Sequence, residues 1–287
     1  MFKTKAQPSP AQLVQEKLDG PHAILPFPQV VGQLLSAIND PQTSAAQLAQ
    51  IIESDAALAL RLLRMANSPL YGCSNVIESV GRAITVLGNR PLKNIALTFA
   101  ASSMFSGNKK QDQAREQLWD HSLGCATVAR QLARVSESAD PDDAFLAGVF
   151  HDVGKLFFFD VVTEDYCELT SQASGKELVE EEARRYGTTH EDVGVKLATE
   201  WQIPEKLSIA IGYHHRPAEA IAHPVTAHLI YAADAIARKA GVGSKEQPEL
   251  EICQEALIGL GINDDQVAMV ASQSLQAFED TKQACSN

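Results

Sequence analysis

The strongest constraint on this chain's fold is a hydrophobic periodicity that is helical almost everywhere. Leu58, Leu62 and Met65 recur at helical spacing within DAALALRLLRMANSP, with Leu63 on the flanking turn, and Pro69 closes the segment. Val80, Ile84 and Leu87 share a face in SVGRAITVLGN, where Gly88 is the expected stop. Ser44 followed by Gln47 is a capping-box pattern that starts a helix just before LAQII. Alternation of period two never extends beyond a few residues. LFFFDVV (156–162) is the one strand-like run, and it reads equally well as a helix end. The expected class is all-α, and 287 residues suffice for at least one sizeable core.

Composition narrows the setting. No stretch approaches the roughly 20 uninterrupted apolar residues of a membrane span, and the N-terminus has no apolar signal-like core. The five cysteines are odd in number, scattered and without a CxxC pair. A disulfide framework and a cysteine zinc site are therefore disfavoured, and a cytoplasmic location is expected. Between 135 and 182 there are 13 Asp/Glu against Lys155 and Lys176, so this segment carries −11 of the net −12. With no cluster of Lys/Arg to neutralise phosphates, nucleic acid is not an expected partner, and neither is a membrane.

The order of segments suggests a division. Residues 1–24 read as an N-terminal extension and 25–110 as a string of short apolar helices introduced by Leu-Pro-Phe-Pro. Residues 111–241 hold further helices and most of the histidines, and 242–287 a loop followed by a C-terminal helical pair. The second of that pair opens at Asn263 with Gln266 three residues on. It is expected either to dock on the body or to make a homodimer contact.

The chemistry concentrates in His121, His151-Asp152, His190, His214-His215 and Asp234. His121 shares a helical stripe with Cys125, Val128 and Leu132, so its imidazole should point inward. Asp140-Pro141 is a strong helix start, which leads through AFLAGVF and places His151-Asp152 on the last turn of an apolar helix. An unpaired carboxylate is costly there. Thr188-Thr189 with Glu191-Asp192 caps the next helix and puts His190 on its first turn, where the helix dipole disfavours imidazolium and keeps the ring able to bind metal. His214 follows Leu207 and Ile211 on one stripe, and Asp234 sits among small apolar residues. Buried imidazoles and carboxylates converging from several helices suit one or two divalent ions of Fe, Mn, Zn or Ni. The alternative is a buried polar network that only holds helices together.

HDVGK (151–155), with His121 upstream and Asp234 downstream, resembles the HD superfamily of metal-dependent phosphohydrolases. The fuller order is ANSPLY, SVGRAITVLGN, FLAGVFHDVGKL, GTTHEDVGVKLATEW and IPEKLSIAIGYHH. It resembles the HDOD (HD-related output domain) group over roughly 25 to 240. The resemblance implies an HD-like helical bundle with an additional N-terminal helical subdomain. It implies His121, His151, Asp152 and Asp234 at a shared metal site. His190, His214 and His215 look like the second-metal ligands of the related HD-GYP phosphodiesterases, with Asp152 bridging, and Lys155 would contact phosphate. His214-His215 runs into Arg216-Pro217-Ala218, without the Gly-Tyr-Pro signature of that group, so cyclic-di-GMP hydrolysis is not expected.

Two functions compete on this basis. The first is a stand-alone bacterial-type signalling output module, recognising a signalling protein or a phosphorylated small molecule. The second is a working phosphohydrolase in which Asp152 and Lys155 are catalytic. Arg184 and Arg185, directly after the EEE run at 180–182, are the nearest alternative phosphate contacts and read more simply as partners of those glutamates. His22 and His223 lie outside the motifs, as does His228, which is near enough to support a ligand. Trp119 and Trp201 read as core, and Tyr213 or Phe150 as aromatics able to plug the site.

Overall fold

The structure is a computed structural model that describes residues 8–20, 25–72, 75–105 and 112–285. His22, Cys73 and the polar stretch 106–111 lie outside the described residues. Among the described residues the regular structure is wholly helical. The chain runs through α1 (Pro10–Leu18), α2 (Gln29–Asn39), α3 (Ala45–Glu53), α4 (Ala56–Ala66), α5 (Val80–Leu87) and α6 (Asn89–Phe105). Then follow α7 (Asp112–Ser136), α8 (Pro141–Phe150), α9 (Lys155–Val161), α10 (Thr163–Gln172), α11 (Gly175–Tyr186) and α12 (His190–Glu200). Next come α13 (Glu205–Tyr213), a 3₁₀ turn at Pro217–Glu219, α14 (Pro224–Ala240), α15 (Gln254–Gly259) and α16 (Asp264–Cys285).

Local signals set most helix ends. Ser44 caps α3 reciprocally with Gln47, and Asp140 accepts from the backbone N–H groups of Asp142 and Asp143 to open α8. Gly88 ends α5 at φ 79°, a conformation that favours glycine. LFFFDVV belongs to α9 and the residue that follows it, and Leu156, Phe157, Phe158 and Phe159 are all buried there. Four consecutive buried residues carry no amphipathic stripe, which is why the period could not be read.

α2 to α6 pack on one another through Val31, Leu34, Leu48, Ile52, Leu58, Leu62, Ala83 and Leu92. α7 and α8 form the centre of the remaining helices, with α14 and α16 against α7. Every residue of α8 from Ala144 to Phe150 is buried. Gly148 allows this close approach, since a Cβ there would lie 2.5 Å from the Cα of Ala126. Each buried Leu or Phe contributes roughly 1.5–3 kcal/mol of transfer free energy. α6 touches α7 and α8, and α16 reaches from α7 across to α4. The C-terminal helix therefore docks on the body, with Val270 and Phe278 buried and Leu275 outward.

Candidate metal centre

The seven histidines and aspartates converge from six places in the fold. His121 stands on α7, His151 at the C-terminal cap of α8, and Asp152 in the turn before α9. His190 begins α12, His214 caps α13 with His215 after it, and Asp234 lies within α14. α8 closes one residue before the His-Asp pair. Gly154 then lets the turn lie directly on α12, where a Cβ would come within 2.0 Å of the His190 carbonyl oxygen. This backbone contact sets His190 beside Asp152.

Two groups result. Asp152, His190, His214 and His215 each offer a ligand atom within 4.8 Å of the others, and so do His121, His151 and Asp234. Asp152 lies between them. Its Oδ1 is 3.5 Å from His190 Nε2 and 3.4 Å from His214 Nε2. Its Oδ2 is 3.5 Å from His121 Nε2, 3.4 Å from His151 Nε2 and 2.6 Å from Lys155 Nζ. His121 Nε2 is also 3.2 Å from Asp234 Oδ1. His151, Asp152, His190 and His214 are almost fully buried, whereas the side chains of His121, Lys155 and Asp234 retain 11–15% exposure. The centre therefore opens on that side.

Hydrogen bonds outside the cluster fix the imidazoles. His151 Nδ1 meets Gly148 O at 2.7 Å, and His214 Nδ1 meets Ile211 O at 2.8 Å. A carbonyl oxygen only accepts, so each Nδ1 carries hydrogen and each neutral ring turns an Nε2 lone pair toward Asp152. Lone pair and carboxylate repel unless a proton or a cation lies between them. His190 Nδ1 lies 2.7 Å from Glu182 Oε2, which also accepts from the His190 backbone N–H at 2.7 Å. Tyr166 donates to the other oxygen of Glu182.

The electrostatics follow burial and neighbours. Burial pushes the His151 pKa down to about 3, against the pull of Asp152. Burial, then His214 and His190, holds His215 well below the ordinary histidine value. Burial opposes charge on His214 as well, but the adjacent Asp152 outweighs it and raises its pKa. Burial also opposes ionisation of Asp152 and Asp234. Lys155 and His151 around the one, and His121 and Arg238 beside the other, overcome that and lower both carboxyl pKa values.

The donor set fits a divalent metal. Four of its atoms, His151 Nε2, Asp152 Oδ1, His215 Nε2 and Asp234 Oδ1, are buried without a hydrogen bond. These four belong to the same cluster, where Asp152 Oδ1 and Asp234 Oδ1 face imidazole nitrogens at 3.2–3.5 Å.

The other sequence expectations divide. Phe150 is buried and packs on Trp201, with ring centroids 6.5 Å apart, and the Tyr213 ring lies under Arg216. His228 hydrogen-bonds Pro224 O in its own helix, and His223 precedes α14 at φ 49°. Arg184 and Arg185 do pair with Glu181. The EEE run is not uniformly a solvated partner for them, however, because Glu182 is fully buried against His190. Its signal was a stripe, since Leu178, Glu182 and Tyr186 recur at four-residue spacing and are all buried. Glu191, also fully buried, accepts from the His215 backbone N–H at 3.3 Å. Arg238 approaches Asp234 at 3.7 Å. Glu182 and Arg238 were not singled out from sequence, and Glu191 was read only as part of a helix start.

Comparison with known proteins agrees with this architecture. The chain is 24% identical over 265 residues to an uncharacterized protein of Treponema pallidum (strain Nichols). The alignment covers 90% of this chain and 50% of that protein, so the chain spans about half the length of this curated relative. An HDOD domain protein of unknown function from Geobacter sulfurreducens superposes with a TM-score of 0.73 at 24% identity, covering 95% of this chain and 96% of that one. A Shewanella amazonensis protein, named provisionally as a metal-dependent phosphohydrolase, superposes with a TM-score of 0.72 at 20% identity, covering 96% of each chain. The model of the HDOD domain matches residues 24–217, most of the chain. The chain belongs to the HDOD domain family.

Proposed function

We propose that this chain is a regulatory output module built around a divalent-metal centre, and that helices α2–α6 carry the state of that centre to a signalling partner. The observation that carries the reading is the set of four buried ligand atoms without hydrogen bonds, all within one cluster of seven His and Asp side chains. In this reading His190, His214 and His215 would hold one ion and His121, His151 and Asp234 the other, with Asp152 common to both. Nitrogen and oxygen donors suit Fe, Mn, Zn or Ni. A bound ion supplies Lewis acidity toward a phosphoryl oxygen and acidifies water.

The route to the N-terminal helices is α8. Arg90 of α6 pairs with Asp140 at 2.9 Å and Asp143 at 2.7 Å, at the start of α8. At its other end Phe150, beside His151, packs on Trp201, whose ring lies tilted against Phe27 at 5.3 Å. The sequence division at 25–110, 111–241 and 242–287 gives the module its receiving, metal-binding and bracing parts. The ligand is a signalling protein or a phosphorylated small molecule. Four described cysteines are unpaired, which supports a reducing, cytoplasmic setting.

One observation favours a second reading, phosphohydrolysis. Lys155 reaches the partly open side of the cluster and pairs there with Asp152 Oδ2 at 2.6 Å. Were Asp152 engaged by a metal, the Lys155 ammonium would be placed to hold a phosphate, with Asp152 and Lys155 as the working pair. The provisional name of the Shewanella amazonensis neighbour points the same way.

Elemental mass spectrometry of protein purified without chelators tests the centre. Two ions per chain, lost in Asp152→Ala, are expected. Absence of metal after refolding with Mn, Fe or Zn would sink the reading. A phosphodiesterase and nucleotidase screen of the loaded protein then separates module from hydrolase.

A further inference from the structure

The two halves of the cluster differ in the charge that surrounds them. Behind the Asp152–His190–His214–His215 half lie two fully buried carboxylates. Glu182 holds His190 through both ring and backbone at 2.7 Å. Glu191 accepts from the His215 backbone and lies 4.0 Å from His214 Nδ1. Arg216, 39% exposed, lies 3.6 Å from Glu191. On the His121–His151–Asp234 side, cations meet the ligand oxygens themselves. Lys155 sits on Asp152 Oδ2 at 2.6 Å, the oxygen facing that half, and Arg238 approaches Asp234 at 3.7 Å. Its one ring fixed through Nδ1, His151, is held by the backbone carbonyl of Gly148.

A carboxylate behind a ligating imidazole fixes its tautomer and raises its basicity, and losing such a partner commonly weakens metal binding 10–100-fold. Cations already seated on the ligand oxygens compete with an incoming ion. We propose that the centre fills in order, the Asp152–His190–His214–His215 half first, and that buried Glu182 is the positioning residue that sets this order. The second half accepts an ion only when Lys155 leaves Asp152. The inference rests on the metal-centre reading above.

The test is titration of the metal-free full chain with Co²⁺ alone, followed by calorimetry and by visible absorption of the bound ion. Wild type should show a tight class and a weaker one. Glu182→Gln should weaken the tight class by about 10–100-fold and leave the weaker one in place. Asp234→Asn should remove the weaker class and keep the tight one. A low-field proton resonance from His190 Nδ1–H should persist in Asp234→Asn and vanish in Glu182→Gln, which a merely structural role for Glu182 in packing would not require. A folded Glu182→Gln with an unchanged tight class would overturn the inference, as would loss of the tight class in Asp234→Asn. Should Glu182→Gln fail to fold, Asp234→Asn and His121→Ala decide the order by themselves. Wild type that binds no Co²⁺ would remove the metal-centre reading and this inference together, whereas two ions bound in the wrong order would remove only the inference.

Discussion

Glu181 and Glu182 are adjacent in the chain and opposite in environment, one paired with two arginines at the surface and the other buried against an imidazole. At this scale protonation governs behaviour. His151 and His215 are kept neutral in the fold with lowered pKa values, while in the unfolded chain they titrate near 6.5. Below about pH 6.5 the unfolded chain binds protons that the fold refuses, so stability falls with pH. His214, with its raised pKa, acts in the opposite sense. Two groups outweigh one, and each unit of separation is worth about 1.4 kcal/mol. The melting temperature of metal-free protein should therefore drop between pH 6.5 and pH 5, and a flat or rising profile would contradict this. The seven clustered His and Asp residues were legible in sequence because each sits on an apolar helix face or at a helix end. Glu182 was not, because a run of three glutamates looks uniformly solvated, and only the stripe from Leu178 to Tyr186 separates one from the others.

At the scale of elements, the site depends on helices that meet backbone to backbone. Gly154 lies under the His190 carbonyl, and a methyl group there has nowhere to go. Gly154→Ala should cost about 1–3 kcal/mol by overpacking, measured by urea denaturation. It should also weaken metal binding, because the turn bearing Asp152 must move off α12. Unchanged stability and metal content would show that the contact yields. Helix boundaries were the most readable part of the fold, since caps such as Ser44, Asp140 and Gly88 act within a few residues of themselves. α9 was ambiguous for the opposite reason. Its identity comes from four consecutive residues buried by distant segments, and LFFFDVV contains no record of those neighbours.

For the whole molecule, the proposed metal centre would link ion binding to folding by mass action. An ion at a hundred times its dissociation constant should stabilise the protein by about 2.7 kcal/mol, seen as a raised melting temperature in wild type and none in Asp152→Ala. Arg90→Ala, which removes a half-exposed pair of contacts to α8, should cost only about 0–1 kcal/mol. A larger loss would mean that the α6–α8 contact is bound more tightly than its exposure implies. How these helices seat on one another was the least legible level, because Arg90 and Asp143 meet across 53 residues with no local signature. That seating also places the chain's only two tryptophans. Trp119, two residues before His121, packs on Phe105 at the end of α6, and Trp201 donates from its indole to Leu25 O at 3.3 Å. Each indole thus lies where helices of the metal cluster meet the N-terminal segments. Their intrinsic fluorescence forms a built-in optical gauge, able to register any loosening of those seams in unlabelled protein in real time.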